Sequence, residues 1–310
     1  MLKKLLLAMF CLTSTPSLAA DKLTVMLDWF VNPDHAPLVI AKEKGFFAQQ
    51  GLDVTLQQPG DPNDPPKLAA AGKVDIALGY QPQLHLQVAE GLPLRRIGTL
   101  IGQPLNTLLV LEDSGITSPA QLKGKKIGYS VGGVEEALLS AILEKHGLTL
   151  KDVQLINVNF SLSPALLSGQ VDAVIGAYRN FELHQLAKEG RRGRAFLVEN
   201  EGVPAYDELI FLTRTDKSND PRLPRFFKAL EQALTAIRTD PKGTMETFFT
   251  AYPETNDAIN RAAWKDTLPT FAADMRTLHK KRYEEFSQFL AARKLIPAPQ
   301  KANDVAAGER

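Results

Sequence analysis

The sequence predicts an α/β protein of two similar lobes, with mixed sheets flanked by helices and a cleft between the lobes. The main observation is a repeat. Residues 68–80 (LAAAGKVDIALGY) and 166–178 (LLSGQVDAVIGAY) share a helix end, a glycine, a Val-Asp pair and a short apolar strand in the same order. A weaker repeat precedes each unit, at 45–56 and 146–156. Recurrence of a whole helix–turn–strand series indicates two equivalent α/β units.

The order of the predicted elements inserts the second lobe into the first. We expect the first lobe to comprise residues 21–111 and 213–310, and the second to comprise 112–212. Chain crossings near Glu112 and near Leu212 then form a two-segment hinge, which lets a cleft open and close around a ligand. Two sequential domains, with 224–296 as a separate helical bundle, are the alternative. The strand predicted at 209–213 disfavours it, because that strand needs a sheet to join.

Apolar runs and Gly or Pro breaks define the elements of the first lobe. A helix at 37–44 is stopped by Gly45, and the Pro-rich residues 59–66 form a loop. The predicted strands are 23–27, 53–57, 76–78, 94–101 and 107–111, and further helices are 67–71 and 82–90.

The second lobe repeats this series and the chain then becomes helical. The predicted strands are 126–129, 153–157, 173–175 and 209–213, and the helices are 134–146, 164–168 and 181–189. Residues 224–239 carry apolar side chains at helical spacing, and helices 241–251, 256–267 and 275–292 follow. Residues 297–310 are expected to form a frayed tail.

The first twenty residues are typical of a signal peptide. Lys3 and Lys4 precede an apolar run at 5–12 that is too short to span a membrane, and small residues follow. We expect cleavage near Ala19 or Ala20 and a periplasmic protein. A lipoprotein anchor at Cys11 is disfavoured by the bulky residue before it. Cleavage would remove Cys11, which is the only cysteine of the chain.

Charge and cysteine content exclude several functions. The formal charge is +1, and loss of two signal lysines makes it −1. A near-neutral chain has no field to hold nucleic acid or an anionic membrane. Five scattered histidines and the missing cysteine give no metal-site spacing, and no catalytic motif or phosphate loop is present. We therefore predict no catalytic residue, no metal, no cofactor and a monomer.

Aromatic and polar residues follow the predicted strands, where open α/β sheets bind ligands. Facing aromatics can stack on a flat ring, and a carboxylate can accept two hydrogen bonds from it. Core packing, turn capping and helix-dipole effects are the alternatives for these residues. A Gly pair before a helix is a weak anion-site signal, and the glutamates after it oppose an anion. The candidates are Trp29, Asn32, His35, Tyr80, Gln81, Tyr178, Asn180, Glu182, Tyr206 and Glu208, with Gly132 and Gly133 as the anion-binding candidates.

These residues resemble the pyrimidine-binding branch of the periplasmic substrate-binding proteins, which includes the formylaminopyrimidine-binding proteins of ABC importers. The chain is also similar to the thiamin-pyrimidine synthases. The resemblance implies a type II periplasmic binding protein fold. It also implies a cleft in which aromatics stack on an aminopyrimidine and Glu182 supplies the recognition carboxylate. Arg179 departs from the family, which often has Trp there. The motifs carrying the resemblance lie at 27–35, 41–47, 51–54, 72–81, 122–128, 176–182 and 203–208.

The expected function is therefore delivery of a small heterocyclic ligand to an ABC transporter permease that has a separate ATPase. The ligand would be a thiamin precursor such as formylaminopyrimidine or hydroxymethylpyrimidine. Binding of an alkylsulfonate, a taurine-like anion or a flavin by the same fold is one alternative. A synthase-type enzyme is the other, and the resemblance disfavours it because those enzymes use a cysteine-rich iron motif that this chain lacks.

Overall fold

The computed structural model describes residues 19–308, so the predicted signal peptide lies almost entirely outside the described part. Two five-stranded mixed sheets organise the chain. The strands are β1 Asp21–Met26, β2 Leu52–Gln57, β3 Ile76–Gly79, β4 Leu94–Ile101, β5 Asn106–Leu111, β6 Lys126–Tyr129, β7 Gln154–Asn157, β8 Ala173–Tyr178, β9 Gly193–Leu197 and β10 Leu209–Arg214.

Twelve α-helices lie in the described residues and flank these sheets. They are α1 Ala36–Glu43, α2 Phe46–Gln49, α3 Pro65–Ala70, α4 Gln81–Ala89, α5 Val134–Lys145, α6 Leu162–Leu167, α7 Glu182–Lys188, α8 Arg222–Thr239, α9 Pro241–Ala251, α10 Ala258–Thr267, α11 Lys280–Ala292 and α12 Ala302–Val305. Among residues 19–308, none of the helices combines the length and the apolar character that crossing a bilayer would require.

The two sheets have the same topology. The first has the order β2-β1-β3-β10-β4 and the second β7-β6-β8-β5-β9. In each sheet the first three strands are parallel, and the fourth in the order is antiparallel to both neighbours. We call each sheet with its packed helices a lobe. The predicted α/β class with two similar lobes of mixed sheets is confirmed.

The repeat seen in the sequence has a structural equivalent in both lobes. Asp75 Oδ2 accepts a hydrogen bond from the backbone N–H of Thr24 at 2.8 Å, and Asp172 Oδ2 accepts one from that of Lys126 at 2.9 Å. Each aspartate thus joins the entry of the third strand in the order to the second strand, which is β1 in the first sheet and β6 in the second. The repeated Val-Asp pair therefore encodes the same strand connection twice.

The chain crosses between the lobes at 102–105 and 198–208, rather than near Glu112 and Leu212 as expected. Strand β5, expected in the first lobe, pairs with β8 and β9 in the second sheet. The same rule applies to both sheets. The antiparallel fourth strand, β10 in the first sheet and β5 in the second, is the strand that follows the crossing from the other lobe. Strand β9 was not predicted, since its five residues are all half-buried and show no alternation. The exact limits of the lobes as moving units remain a prediction.

Residues 297–308 are ordered, so for this described part the expectation of a frayed tail was wrong. Ala302 and Val305 on α12 are fully buried. The buried guanidinium of Arg96 explains this, because it donates to the carbonyls of Thr277 at 2.7 Å and Ala307 at 2.9 Å. A buried cation surrounded by carbonyl oxygens fixes the chain that supplies them. This anchoring holds the last helix of the first lobe against β4.

Candidate ligand-binding site

A cleft lies between the two sheets, where strand ends from both lobes meet. The first lobe contributes the residues that follow β1 and β3. The second contributes the ends of β5 and β8 and the first turn of α5, and one residue comes from the return crossing. The lining residues used below are Asp28, Trp29, Asn32, Asp34, Tyr80, Asn106, Glu135, Gly176, Tyr178, Phe181 and Glu208.

Asp28 organises the first-lobe wall. Its Oδ2 accepts a hydrogen bond from the Tyr80 hydroxyl at 3.1 Å, and its Oδ1 lies 3.0 Å from His35 Nε2. His35 Nδ1 accepts from the backbone N–H of Asn32 at 3.2 Å, so in a neutral ring the proton lies on Nε2, which donates to Asp28. His35 therefore supports Asp28 from behind, while Asp28 and Tyr80 face the cleft.

Asp34 joins the two lobes at the side of the cleft. Its Oδ1 accepts from Asn180 Nδ2 of the second lobe at 2.7 Å and from the Thr267 hydroxyl of α10 at 3.0 Å. Asn180 Nδ2 also donates to Thr267 at 2.7 Å. Burial raises the pKa of Asp34 to about 6, against the opposing effect of these hydrogen bonds and of His35. The Asp34–Asn180 contact exists only when the lobes are together.

Glu208 ties the two crossings to each other. Its Oε2 accepts from the backbone N–H groups of Leu105 at 2.5 Å and Asn106 at 2.9 Å, and from the Tyr206 hydroxyl at 3.0 Å. The Tyr178 hydroxyl lies 3.4 Å from Oε1. Burial raises the pKa of Glu208 to about 7 in spite of these donors. The carboxyl group thus connects both crossings to the floor of the cleft.

Glu135 reaches the cleft over a glycine. Its Oε2 accepts from the backbone N–H of Ser130 at 2.6 Å, and burial raises its pKa well above the usual range. Gly176 on β8 has a φ of +102°, and a β-carbon at that position would overlap the Glu135 carboxyl group. The Gly176 N–H donates to Asn106 Oδ1 at 3.0 Å. Gly176 therefore positions two polar side chains of the second lobe.

Aromatic rings close the mouth of the cleft. Trp29 of the first lobe contacts Phe160 of the second edge-to-face, with ring centroids 4.6 Å apart. Phe30, which is 49% exposed, lies 4.5 Å from Phe160 on the outer side. Tyr80, Tyr178 and Phe181 line the interior. The cleft therefore combines ring faces with polar groups, which is the composition of a site for a flat polar molecule.

The ten residues predicted to bind the ligand fall into two positions. Trp29, Asn32, Tyr80, Tyr178 and Glu208 line the cleft, although the Asn32 side chain also caps its own turn. The others lie directly behind the lining and are buried; Glu182 Oε2, for example, accepts from the Tyr178 N–H at 2.6 Å. This second set is His35, Gln81, Asn180, Glu182 and Tyr206.

The predicted anion site lies apart from the cleft. The Gly132 N–H donates to Asn63 Oδ1 of the first lobe at 2.9 Å, and the Gly133 N–H donates to the Glu136 side chain. Both donors are thus taken by protein oxygens in this arrangement, and an anion finds neither of them free. The Arg179 side chain is also paired, since its guanidinium group forms a bidentate ion pair with Glu199 at 2.6 and 2.8 Å.

Sequence reasoning missed four polar residues of the lining: Asp28, Asp34, Asn106 and Glu135. Asp28 and Asp34 flank predicted candidates in the loop after β1, so that loop was the available signal. Asn106 begins a strand that was expected in the other lobe. Glu135 carried no local signal, because its burial depends on Gly176, which lies far along the chain.

The charge of the lining is one-sided. Four carboxyl groups, those of Asp28, Asp34, Glu135 and Glu208, line the cleft, and the lining described within 19–308 includes no Lys, Arg or His. Within the same residues, no three His, Cys, Asp or Glu side chains are arranged to hold a metal ion. Such a surface offers carboxyl groups for hydrogen bonding and no cation that could pair with an anion.

The relatives of this chain include one protein named for binding a pyrimidine and one named as a synthase. A Haemophilus influenzae protein provisionally named a thiamine biosynthesis protein is 53% identical over 91% of this chain and 90% of its own length. The formylaminopyrimidine-binding protein of Halalkalibacterium halodurans is 31% identical over 95% of this chain and 92% of its own length. The 4-amino-5-hydroxymethyl-2-methylpyrimidine phosphate synthase of Uromyces fabae is 29% identical over 83% of this chain and 79% of its own length.

Solved structures share the fold. The alkanesulfonate-binding protein SsuA of Xanthomonas axonopodis pv. citri, bound to MOPS, superposes with a TM-score of 0.73 over 94% of this chain and 99% of its own. Its sequence identity is 19%, so this likeness concerns the fold alone. The family model described as NMT1/THI5 like matches residues 32–244. The chain therefore belongs to the NMT1/THI5-like family and has the fold of the periplasmic binding proteins of ABC importers.

Proposed function

We propose that this chain is an exported solute-binding protein that holds an aminopyrimidine thiamin precursor in its cleft and delivers it to an ABC importer. The observation that carries the proposal is the lining, with its four carboxyl groups, its ring faces and no cation. An aminopyrimidine is flat and presents N–H donors, so it fits both features. The 31% identical relative, which is named for binding formylaminopyrimidine, supports this ligand class.

The mechanism we propose is closure of the lobes about the two crossings. Contacts from both lobes to one ligand exist only in the closed form, so the ligand shifts the population towards closure. A permease then distinguishes the closed form from the open form, and a separate ATPase supplies the energy for import. Export by a signal peptide in residues 1–20 and a monomeric state are parts of the same proposal.

A ligand screen by thermal shift tests this function. At a concentration about one hundred times Kd, formylaminopyrimidine or hydroxymethylpyrimidine is expected to raise Tm by ~5–10 °C. MOPS, taurine and a flavin are the comparison ligands. No response to MOPS or taurine is expected, because the lining of the cleft has no cation to pair with a sulfonate. Stabilisation by a sulfonate or a flavin, with none by either pyrimidine, would reject the aminopyrimidine assignment.

An enzymatic function is the second candidate, because a 29% identical relative is named a pyrimidine phosphate synthase. The only cysteine of the chain is Cys11, in the predicted signal peptide, which disfavours a cysteine-based iron site in the mature protein. Incubation with iron and the cofactor of the synthases, followed by mass spectrometry, tests it. Appearance of a new pyrimidine would establish catalysis in place of transport.

The role of Glu182 can be separated from that of the lining. Glu182→Gln is expected to weaken pyrimidine binding by about 1–3 kcal/mol if the carboxylate contacts the ring. The glutamine oxygen can still accept from the Tyr178 N–H, so the local backbone is preserved. Calorimetric affinity equal to that of the wild type would assign Glu182 to support of Tyr178 alone.

A polar latch at Asn63 is proposed to stabilise the closed form. Asn63 accepts from the Gly132 N–H at 2.9 Å and donates to the Ser130 carbonyl at 3.2 Å, and both partners belong to the second lobe. Two lost hydrogen bonds correspond to about 1–3 kcal/mol, so Asn63→Ala should speed ligand dissociation ~5–100-fold. Stopped-flow fluorescence measures the rate. Asn200→Ala, at an exposed position, is the control, and equal rates for both variants would contradict the latch.

A further inference from the structure

Gly176 brings together two polar side chains from different elements of the second lobe. Its N–H donates to Oδ1 of Asn106 on β5, and its missing β-carbon leaves room for the carboxyl group of Glu135 on α5. Asn106 is 4% exposed and Glu135 is 4% exposed, and both line the cleft. The Glu135 carboxyl group also interacts with the backbone N–H groups of Ser130 and Val131.

The hydrogen bonds already made fix what each side chain can offer. Because Asn106 Oδ1 is occupied by the Gly176 N–H, the amide orientation is set and Nδ2 is left as a donor. This nitrogen makes no hydrogen bond to any residue within 19–308. Glu135 uses Oε2 for the Ser130 N–H, and Oε1 is its oxygen nearest to Gly176. The pair thus presents one donor and one acceptor beside the same glycine.

We propose that Asn106 and Glu135, positioned by Gly176, recognise the amino edge of the ligand's ring. This inference rests on the proposed aminopyrimidine ligand and names the residues that select it. Asn106 Nδ2 donates to a ring nitrogen, and Glu135 accepts from the adjacent exocyclic amino group. A 4-aminopyrimidine carries this acceptor–donor pair side by side, whereas a 4-oxopyrimidine carries an N–H and a carbonyl oxygen in the reverse order.

The electrostatic setting agrees with this assignment. Burial raises the pKa of Glu135, so its carboxyl group keeps a proton to higher pH than a surface glutamate does. In the complex Oε2 accepts from the Ser130 N–H and Oε1 accepts from the amino group, so both oxygens act as acceptors and the carboxyl group is ionised. The donor supplied by the ligand favours this charged form and opposes the effect of burial on the pKa. Leaving either polar group unpaired against the wrong ring costs desolvation, which is how buried polar sites discriminate between analogues.

Two substitutions separate recognition from folding. Asn106→Asp keeps an oxygen for the Gly176 N–H and replaces the donor by an acceptor. Glu135→Gln must direct its NH2 group either at the Ser130 N–H or at the ligand's amino group, and both are donors. Glu136→Gln is the matched control, since Glu136 follows in the same helical turn, caps the Gly133 N–H and lies outside the cleft lining.

The experiment is isothermal calorimetry at pH 8 with 4-amino-5-hydroxymethyl-2-methylpyrimidine and its 4-oxo counterpart. Wild type and Glu136→Gln should prefer the amino compound by at least ~100-fold. Asn106→Asp and Glu135→Gln should each bind the amino compound at least ~10-fold more weakly, and Asn106→Asp should lose most of the preference over the oxo compound. Circular dichroism shows whether each variant folds. Where Asn106→Asp does not fold, the calorimetric affinity of Glu135→Gln tests the assignment.

The outcomes distinguish a failure of the Asn106–Glu135 assignment from a failure of the proposed function. Wild-type affinity and preference in both variants, with tight binding by the wild type, would overturn the Asn106–Glu135 assignment and leave aminopyrimidine binding intact. A wild-type chain that binds neither compound nor formylaminopyrimidine would reject the proposed function, and this assignment with it.

Discussion

Glu208→Ala is expected to abolish measurable ligand binding and to lower the free energy of unfolding by about 2–6 kcal/mol. The substitution leaves the buried N–H groups of Leu105 and Asn106 without their acceptor, and each unpaired group costs ~1–3 kcal/mol. It also frees the hydroxyl groups of Tyr206 and Tyr178, the second of which lines the cleft. Stability and binding are lost together because one carboxyl group connects both crossings to the floor of the site.

Urea denaturation and calorimetry measure the two effects of Glu208→Ala. Glu201→Ala serves as the control, since Glu201 lies in the same crossing and pairs with Lys145 and His146 near the surface. Such partly exposed pairs contribute ~0–1 kcal/mol, and binding should be unchanged. Near-wild-type stability of Glu208→Ala would show that the hinge segments do not depend on this carboxyl group.

The second large effect is a loss of stability of the ligand-free protein as pH rises from about 5 to about 8. Burial raises the pKa of Asp34 to about 6, of Glu208 to about 7 and of Glu182 to about 8, all above the values of an unfolded chain. The folded state therefore binds these protons more tightly than the unfolded state does. Stability is greatest below the unfolded pKa and is lost as pH rises through each folded pKa, at up to about 1.4 kcal/mol per pH unit and group.

Urea midpoints at pH 5, 6.5 and 8, at constant ionic strength, measure this dependence. Glu182→Gln is the control variant, because it removes the group that titrates last. Its loss of stability should be smaller than that of the wild type by up to about 1.4 kcal/mol per pH unit throughout pH 5–8, because the unfolded glutamate is already ionised there, while the part due to Asp34 and Glu208 remains. Wild-type stability that is constant or rises between pH 5 and 8 would contradict the buried, protonated state of these carboxyl groups.

The architecture was predictable because the chain encodes it twice. Each Val-Asp-strand unit makes the same backbone contact in its own lobe, at Asp75 and at Asp172, so local sequence was sufficient. Sheet membership of β5 was not predictable in this way. Its six residues are all buried, and the apolar run at 108–111 does not indicate which of the two sheets the strand joins. That choice is made by long-range pairing with β8 and β9.

The site was predictable where it follows the repeat and unpredictable where it depends on distant contacts. Tyr80 and Tyr178 occupy equivalent strand exits, and both line the cleft. Glu135 stands in the first turn of a helix, where a glutamate ordinarily faces solvent and interacts with the helix dipole. It is buried because a glycine on β8 leaves space for its carboxyl group. No local pattern around Glu135 contains that information.

The edge-to-face contact between Trp29 and Phe160 gives the molecule an optical reporter. The chain has two tryptophans, and the other, Trp264, is 2% exposed in the core of the first lobe. Separation of the lobes would transfer the Trp29 indole from an aromatic neighbour to water and leave Trp264 unchanged. Tryptophan fluorescence of the unlabelled protein thus contains a Trp29 signal that reports separation of the lobes and a Trp264 signal that serves as an internal reference. The rate of opening can therefore be measured without attaching a dye.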